Sequence, residues 1–372
     1  MSQLRTVLAL QVLNSFVSGI LMVAVPLMME KRNVDVVMMG LVFAAMPLVM
    51  QIGRMFFATF SDFWGRKLFF VSNGLLGVVS GAIYYLARTP LEFLFGKVTE
   101  GTKEGTLWAV NRAFVMENSE RKLRALVNLR TVVYIAYAVG SLVVGFLAVW
   151  FSFEGTMLLC AAVGAIVFFL ALSLAVERKE RFSVEKALHF LDFRNRDRTF
   201  KVFLVLFLVM GLSFGAIGGF VIPLFLDLKG FSAEAIGLIL GVQILLAGLF
   251  SYVFSKSVKL RRLILLSGVL FSITFFLLGF SDPTLAVGFM LGYGVIEGVA
   301  AIGQEGILSR IADRESYGTD IGLLWMGFHV GESLSLALAG FLVSVWGFVA
   351  PFLLAASTYI VFSVGAYLTL KE

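Results

Sequence analysis

Long apolar runs, each about the length that crosses a bilayer, succeed one another along almost the whole chain with only short polar breaks between them. A membrane-spanning helix needs roughly 20 mostly apolar residues. Runs of that kind predict helices near 5–28, 35–60, 67–87, 90–115, 125–149, 154–176, 199–226, 233–255, 262–280, 283–308, 320–345 and 348–369. The breaks are too short to hold an inserted soluble domain. Several carry the chemistry that starts a helix. Thr89-Pro90 with Glu92 resembles an N-cap, a first-turn proline and a capping box. Asp282-Pro283 has the same form without the box, and Ser232 and Thr319 are further caps.

Composition agrees with the pattern. Of 372 residues, 59% are hydrophobic and 15% charged, against about 45–50% and about 25% in ordinary soluble domains. A water-soluble globule of this size has no place for that excess, so the solvent is lipid. The first run, to Met29, is longer than a signal-peptide core and is expected to stay attached as a span. The single cysteine, Cys160, lies in an apolar run, excludes an intrachain disulfide and reads as a packing residue.

The net charge of +6 matters through its placement. Twelve spans put both termini on one side. That side then holds Arg5, Arg66, Lys67, Arg121, Lys122, Arg124, the eight basic residues of 177–201, Lys256, Lys259, Arg261, Arg262, Arg310, Arg314 and Lys371. The other side holds Lys31, Arg32, Arg88 and Lys229. Twenty-one against four predicts cytoplasmic termini in a multi-pass protein of the cytoplasmic-type cell membrane. The longest polar stretch, 177–198, reads as a basic cytoplasmic linker, solvated or touching anionic head groups. It separates bundles at 1–176 and 199–372. A faint repeat joins them: Gly145-Phe146-Leu147 recurs 195 residues later as Gly340-Phe341-Leu342, and the same offset carries Arg66-Lys67 onto Arg261-Arg262. Parallel duplication of a six-helix unit is one known transporter plan.

Between the second and third spans stands Asp62-Phe63-Trp64-Gly65-Arg66-Lys67. It resembles the loop signature of the major facilitator superfamily, G-x-x-x-D-x-x-G-R-K, at the expected position, with Ala58 replacing the leading glycine. Gly140-Ser141-Leu142-Val143-Val144-Gly145 keeps the first and last glycines of part of that superfamily's fifth-helix pattern, with serine in place of proline and Val144 in place of a glycine. The resemblance implies an all-α membrane protein, twelve helices in two pseudo-symmetric six-helix bundles, with spans 1, 4, 7 and 10 lining a central cavity. In that frame the loop reads as a latch. Asp62 is expected near the N-terminus of span 11, around Thr319, where the helix dipole favours an anion. Arg66 is expected to pair with Glu117. The alternative is that Arg66 and Lys67 only anchor the loop by charge.

Ionisable residues inside spans are costly and face a polar interior. Span 4 carries Lys97, Glu100, Lys103, Glu104, Asn111 and Arg112. Counting about 1.5 Å per residue from Pro90 puts Glu100 about 15 Å deep. Span 5 has Arg130, Tyr134 and Tyr137, span 10 has Glu297, Gln304 and Glu305, and span 11 has His329 with Glu332 one turn on. Glu100, Lys103, Glu104, Arg130, Glu297, Glu305, His329 and Glu332 are the candidate solute and proton-coupling residues, since a carboxyl in a low-dielectric cavity can load and release a proton. The competing reading is fixed ion pairs: Glu100 with Lys97 or Lys103, and Glu104 with Arg130. GxxxG spacing at Gly77/Gly81, Gly101/Gly105, Gly211/Gly215, Gly237/Gly241, Gly288/Gly292, Gly294/Gly298 and Gly327/Gly331 predicts close helix seams. Gly218-Gly219 and Pro223 in span 7 predict a flexible outer gate.

These features predict a monomeric secondary carrier of a small polar or charged organic solute. It works by alternating access on an ion gradient, taken to be protons, without other cofactors. No G-x-x-x-x-G-K-[ST] phosphate loop is present for direct ATP use. The motif content leans to efflux by antiport, with proton symport as the alternative. A membrane enzyme would need a nucleophile–base set or a metal-binding carboxylate cluster at the membrane surface, whereas Asp192 and Asp197 stand isolated among arginines and the histidines are His189 and His329; nothing points to nucleic acid. A non-transporting sensor on the same fold is expected to add a long soluble tail, whereas the sequence closes two residues after Leu370.

Overall fold

The computed structural model describes residues 3–117, 122–175, 196–254, 260–312 and 317–370, and among them regular structure is helical. Helices α1 (Gln3–Lys31), α2 (Val36–Trp64), α3 (Arg66–Leu86) and α4 (Pro90–Glu117) are spans 1 to 4. The helix Lys122–Leu172 breaks at Ser152, whose φ of 61° lies in the left-handed region. Its apolar part alone, Leu129–Leu172, would be about 66 Å long if straight, twice the thickness of a hydrocarbon core. The limbs 122–151 (α5) and 153–172 (α6) are therefore two crossings. Span 7 is interrupted: α7 (Arg198–Ile217) and α8 (Val221–Leu228) are joined through Gly218 in extended conformation and Gly219 at φ 58°. Spans 8 to 12 are α9 (Ala233–Val253), α10 (Leu260–Leu278), α11 (Pro283–Ile311), α12 (Tyr317–Trp346) and α13 (Val349–Thr369).

Ten segments are long and apolar enough to cross a bilayer. Counting the bent segment twice and adding α4, which its internal charges disqualify on hydropathy, gives the twelve crossings expected. The caps read at the starts of α4, α9 and α11 form, whereas α12 begins at Tyr317, so Thr319 lies inside its first turn and not at the cap position. Glu92 Oε2 accepts from the Arg88 and Thr89 amides at 2.5 and 2.8 Å. Asp282 accepts from Leu285 N at 2.9 Å.

Glycines set the packing, because lipid gives helices little hydrophobic reason to associate and close approach must supply dispersion instead. A β-carbon at Gly81 would lie 2.7 Å from Ala161 N, and one at Gly101 would lie 2.8 Å from Met46 O. Glycine contacts join span 1 to span 5, span 2 to span 4 and span 3 to span 6. The same scheme recurs in the second set as 7 with 11, 8 with 10 and 9 with 12. Six of the seven GxxxG pairs pack on a neighbour; a β-carbon added at Gly288 or Gly292 would meet nothing of another helix within 4 Å among the described residues.

Two seams join the first six spans to the last six. Along spans 2 and 11, Gly40 packs on Gly340, Ser333 Oγ donates to Ala44 O at 2.6 Å, and Gln51 Nε2 donates to Gly322 O at 3.1 Å. Along spans 5 and 8, Gly145 packs on Glu234 and Gly237 on Ser141. Both seams are tight at the face opposite the chain ends.

Candidate translocation site

The charges of α4 turn into the first bundle. Lys97 Nζ lies 2.8 Å from Glu100 Oε2, which also accepts from the Tyr84 hydroxyl at 2.6 Å. The same ammonium sits 4.4 Å from the centroid of the Phe43 ring. One turn on, Lys103 Nζ meets Glu104 Oε1 at 3.2 Å, and that carboxylate accepts from Asn14 at 3.0 Å, Ser18 at 2.8 Å and Trp108 Nε1 at 3.2 Å. All four charged side chains are buried. A charge taken out of water is tolerable only when paired and hydrogen-bonded, and α4 meets that condition by placing each acid beside a lysine. The fixed pair Glu100–Lys97 is therefore present, while Glu104 bonds to Lys103 and not to Arg130. A cavity of about 10 Å³, bounded by Asn14, Asn73, Lys103 and Cys160, lies among spans 1, 3, 4 and 6. It is no larger than a water and lies off the interface between bundles. Cys160 is free and buried.

The second bundle arranges its acids differently. Glu297 stands at the middle of α11, fourteen residues from either end. It accepts from Gln243 Nε2 of α9 at 2.5 Å and is within hydrogen-bonding reach of the Tyr293 hydroxyl, one turn back on its own helix. Two helical turns towards the chain-end face, Glu305 Oε1 receives Arg130 Nη1 from α5 at 2.8 Å, an ion pair that joins the two bundles. Arg130 also packs on the Tyr134 ring, 5.7 Å from its centroid. On α12, His329 Nδ1 lies 2.8 Å from Glu332 Oε2, as their spacing predicts, and the imidazole stacks on Trp325.

The loop signature is placed in part. Gly65 links α2 and α3 at φ 83°, and a β-carbon added there would meet nothing within 4 Å, so glycine is required for backbone freedom and not for space. Arg66 opens α3 and is buried. Lys67 Nζ donates to Leu172 O at 2.7 Å, at the last turn of α6, where unpaired carbonyls and the helix dipole favour a cation. The side chains of Asp62, Glu117 and Thr319 lie outside the described residues, as does the segment 176–195.

Several residues that complete these clusters were not singled out by sequence. Tyr84, Ser18 and Trp108 complete the α4 network, and Gln243 and Tyr293 hold Glu297. Gln243 did carry a signal, an amide in the middle of the run Gly241-Val242-Gln243-Ile244-Leu245. A buried amide in such a run needs a polar partner.

The family model described as Major Facilitator Superfamily matches residues 7–259 and 230–372. No curated protein matches the sequence. Among solved structures, the nucleoside transporter NupG superposes with a TM-score of 0.81 at 15% identity, covering 100% of both chains. A structure described under substrate recognition in proton dependent oligopeptide transporters gives 0.73 at 13% identity, over 98% of this chain and 96% of the other. The human organic anion transporter MFSD10 (TETRAN) gives 0.68 at 17% identity, over 97% and 98%.

Proposed function

The chain belongs to the major facilitator superfamily, and on that footing we propose that it is a secondary active transporter of a small polar or charged organic solute, driven by protons and working by alternating access. The solute and the proton meet at mid-membrane between the bundles formed by 1–176 and 199–372, which rock against each other across the two seams. The positive charge at the chain-end face supports cytoplasmic termini and a cytoplasmic-type membrane. The similar structures carry nucleosides, oligopeptides and organic anions by their descriptions, so the shared fold selects none of these classes.

One observation carries the proton reading. Glu297 is a mid-span carboxyl whose hydrogen-bonding partners, Gln243 and Tyr293, are both neutral. A half-buried charge at mid-membrane without a bonded counter-ion is expensive, so the site favours loading and releasing a proton as its exposure to water changes. Arg130–Glu305, nearer the chain-end face, is suited to act as the tie that opens on that side. The loop signature supplies a second tie there: Asp62→Asn is expected to slow transport while leaving membrane insertion intact, measured by counterflow and surface labelling.

The test is reconstitution into proteoliposomes, with a solute panel assayed with and without an imposed pH gradient. Wild type should accumulate its solute only with the gradient. Glu297→Gln, which keeps the size and hydrogen-bonding reach of the side chain, should abolish accumulation and retain exchange of solute down its own gradient. Gradient-driven accumulation by Glu297→Gln at the wild-type level would remove Glu297 from the coupling.

A further inference from the structure

The acids at the heart of the molecule differ in what already neutralises them. Glu100 is bonded by Lys97, Glu104 by Lys103 and Glu305 by Arg130, all cations, and Glu332 by the His329 ring, a cation only when protonated. Glu297 is the exception among these described mid-span carboxyls. Its hydrogen bonds come from an amide and a phenol, and Arg130 of span 5, within electrostatic range, is bonded to Glu305 instead.

We infer that the transported solute is a cation, a protonated amine or a quaternary ammonium, and that Glu297 is its counter-ion. The inference rests on the transport reading above and narrows it. A half-buried, mid-membrane carboxylate bound only by neutral donors needs a positive charge to complete it. A proton is one source and a solute cation is the other. Both use the same oxygens, so they exclude each other: the arriving cation takes the place of one proton, and the charge of the site is the same before and after the exchange.

The surroundings fit a cation better than an anion. Tyr134 and Tyr137 of span 5 lie within electrostatic range of Glu297, and Tyr293 stands on its own helix. Aromatic faces attract ammonium groups, and a phenol remains neutral beside either occupant. Tyr359 of span 12 is also within electrostatic range. The cationic group on this side, Arg130, bonds Glu305 at 2.8 Å and makes no hydrogen bond to Glu297 among the described residues. The remaining arginines that face each other in the first bundle, Arg54 and Arg112, lie ten and five residues from the chain-end tips of their helices. That places them about 15 and 8 Å from that face, against about 21 Å for Glu297, so an anionic solute would be drawn to a different depth.

The test uses purified full-length protein in detergent and then in proteoliposomes. The probes are choline and tetraphenylphosphonium as cations, uridine and dialanine as neutral or zwitterionic solutes, and p-aminohippurate as an anion. One or both cations should bind saturably, at least tenfold more tightly at pH 8 than at pH 6, and should be exchanged across the vesicle membrane. Glu297→Gln should lose at least tenfold in affinity together with the pH dependence, while Glu297→Asp retains both in direction. Glu154→Gln, at the far face, should behave as wild type. Thermal unfolding checks that each variant is folded. Saturable binding confined to uridine, dialanine or p-aminohippurate would overturn the cationic assignment and leave the transport reading standing. Absence of exchange for all five probes by a folded wild-type protein would count against both.

Discussion

Gly340 is the point at which a single methyl group should change which side of the membrane the protein faces. A β-carbon there would lie 2.5 Å from Val36 O, 3.0 Å from Val37 Cα and 3.2 Å from Gly40 Cα, all on the backbone of the opposite bundle. Backbone cannot rotate away as a side chain can. Restoring ordinary carbon–carbon contact near 3.5 Å requires the helices to part by about 0.5 Å, and more at the carbonyl. Overpacking of that size costs typically about 1–3 kcal/mol. On the alternating-access proposal the cost falls only on the conformation whose far face is closed, because the open one would separate these helices. The ratio of closed to open should therefore drop by about 5- to 150-fold. A 99:1 equilibrium would move to about 95:5 at the lower limit and about 40:60 at the upper. Spin labels on Leu86→Cys and Leu228→Cys, both exposed at the far ends of α3 and α8, report the separation by pulsed dipolar spectroscopy. Buried Cys160 should not take a label. Gly340→Ala should add a longer distance to the distribution. Gly81→Ala is the control: its methyl would meet Ala161 N at 2.7 Å inside one bundle, so it should lower thermal stability and leave the distances unchanged. An unchanged distribution in Gly340→Ala would show that this seam does not form the far gate.

Three other perturbations follow from the same geometry. Lys97→Met leaves the Glu100 carboxylate buried without its cation and should lower stability by about 3–5 kcal/mol; adding Glu100→Gln should recover most of the loss, read as the thermal midpoint in detergent. Arg130→Glu and Glu305→Arg should each impair exchange in vesicles and together restore it. Since both groups are about a third exposed or more, the stability change of either should stay within about 1 kcal/mol. Lys67→Met removes the cation from the end of α6 and should cost about 0.3–1 kcal/mol without preventing insertion, checked by thermal unfolding of the inserted fraction.

The crossings were legible because length and hydropathy define them directly. Spans 2, 8 and 10 begin within one residue of expectation, and the division near Ser152 falls in the predicted gap between 149 and 154. In span 7 the pair Gly218-Gly219 signalled flexibility, and the structure shows a break in the helix there. Small-residue spacing was less decisive. It marks a surface that another helix is able to approach, and at Gly288 and Gly292 none does.

Charges were legible in depth but not in partnership. Counting residues placed Glu100 at mid-membrane, yet two lysines lie within one turn of it, and the choice of Lys97 is fixed by Tyr84 and Phe43 from spans 3 and 2. Glu305 pairs with an arginine 175 residues away in the chain. Such pairings depend on how the bundles meet, and no local pattern encodes that.

The repeat gives the frame a symmetry that the charges do not share. The offset of 195 that links the two glycine-phenylalanine-leucine segments carries Gly340 of one seam onto Gly145 of the other, and Gly40 onto Ala235, next to the Glu234 backbone on which Gly145 packs. Arg261 donates to Tyr367 O at 3.0 Å, and Tyr367 is the counterpart of Leu172, whose carbonyl Lys67 caps. A pseudo-two-fold arrangement of this kind makes each seam a copy of the other, which is the geometry a rocking motion needs. The acids break the equivalence. The first bundle neutralises its own acids within α4, whereas the second leaves Glu297 to neutral donors and sends Glu305 across to Arg130. Stability therefore requires little of the charge on Glu297, and removing that charge should alter coupling far more than folding. Removing the charge of Glu100 alone should do the reverse, because it strands Lys97 in a buried site.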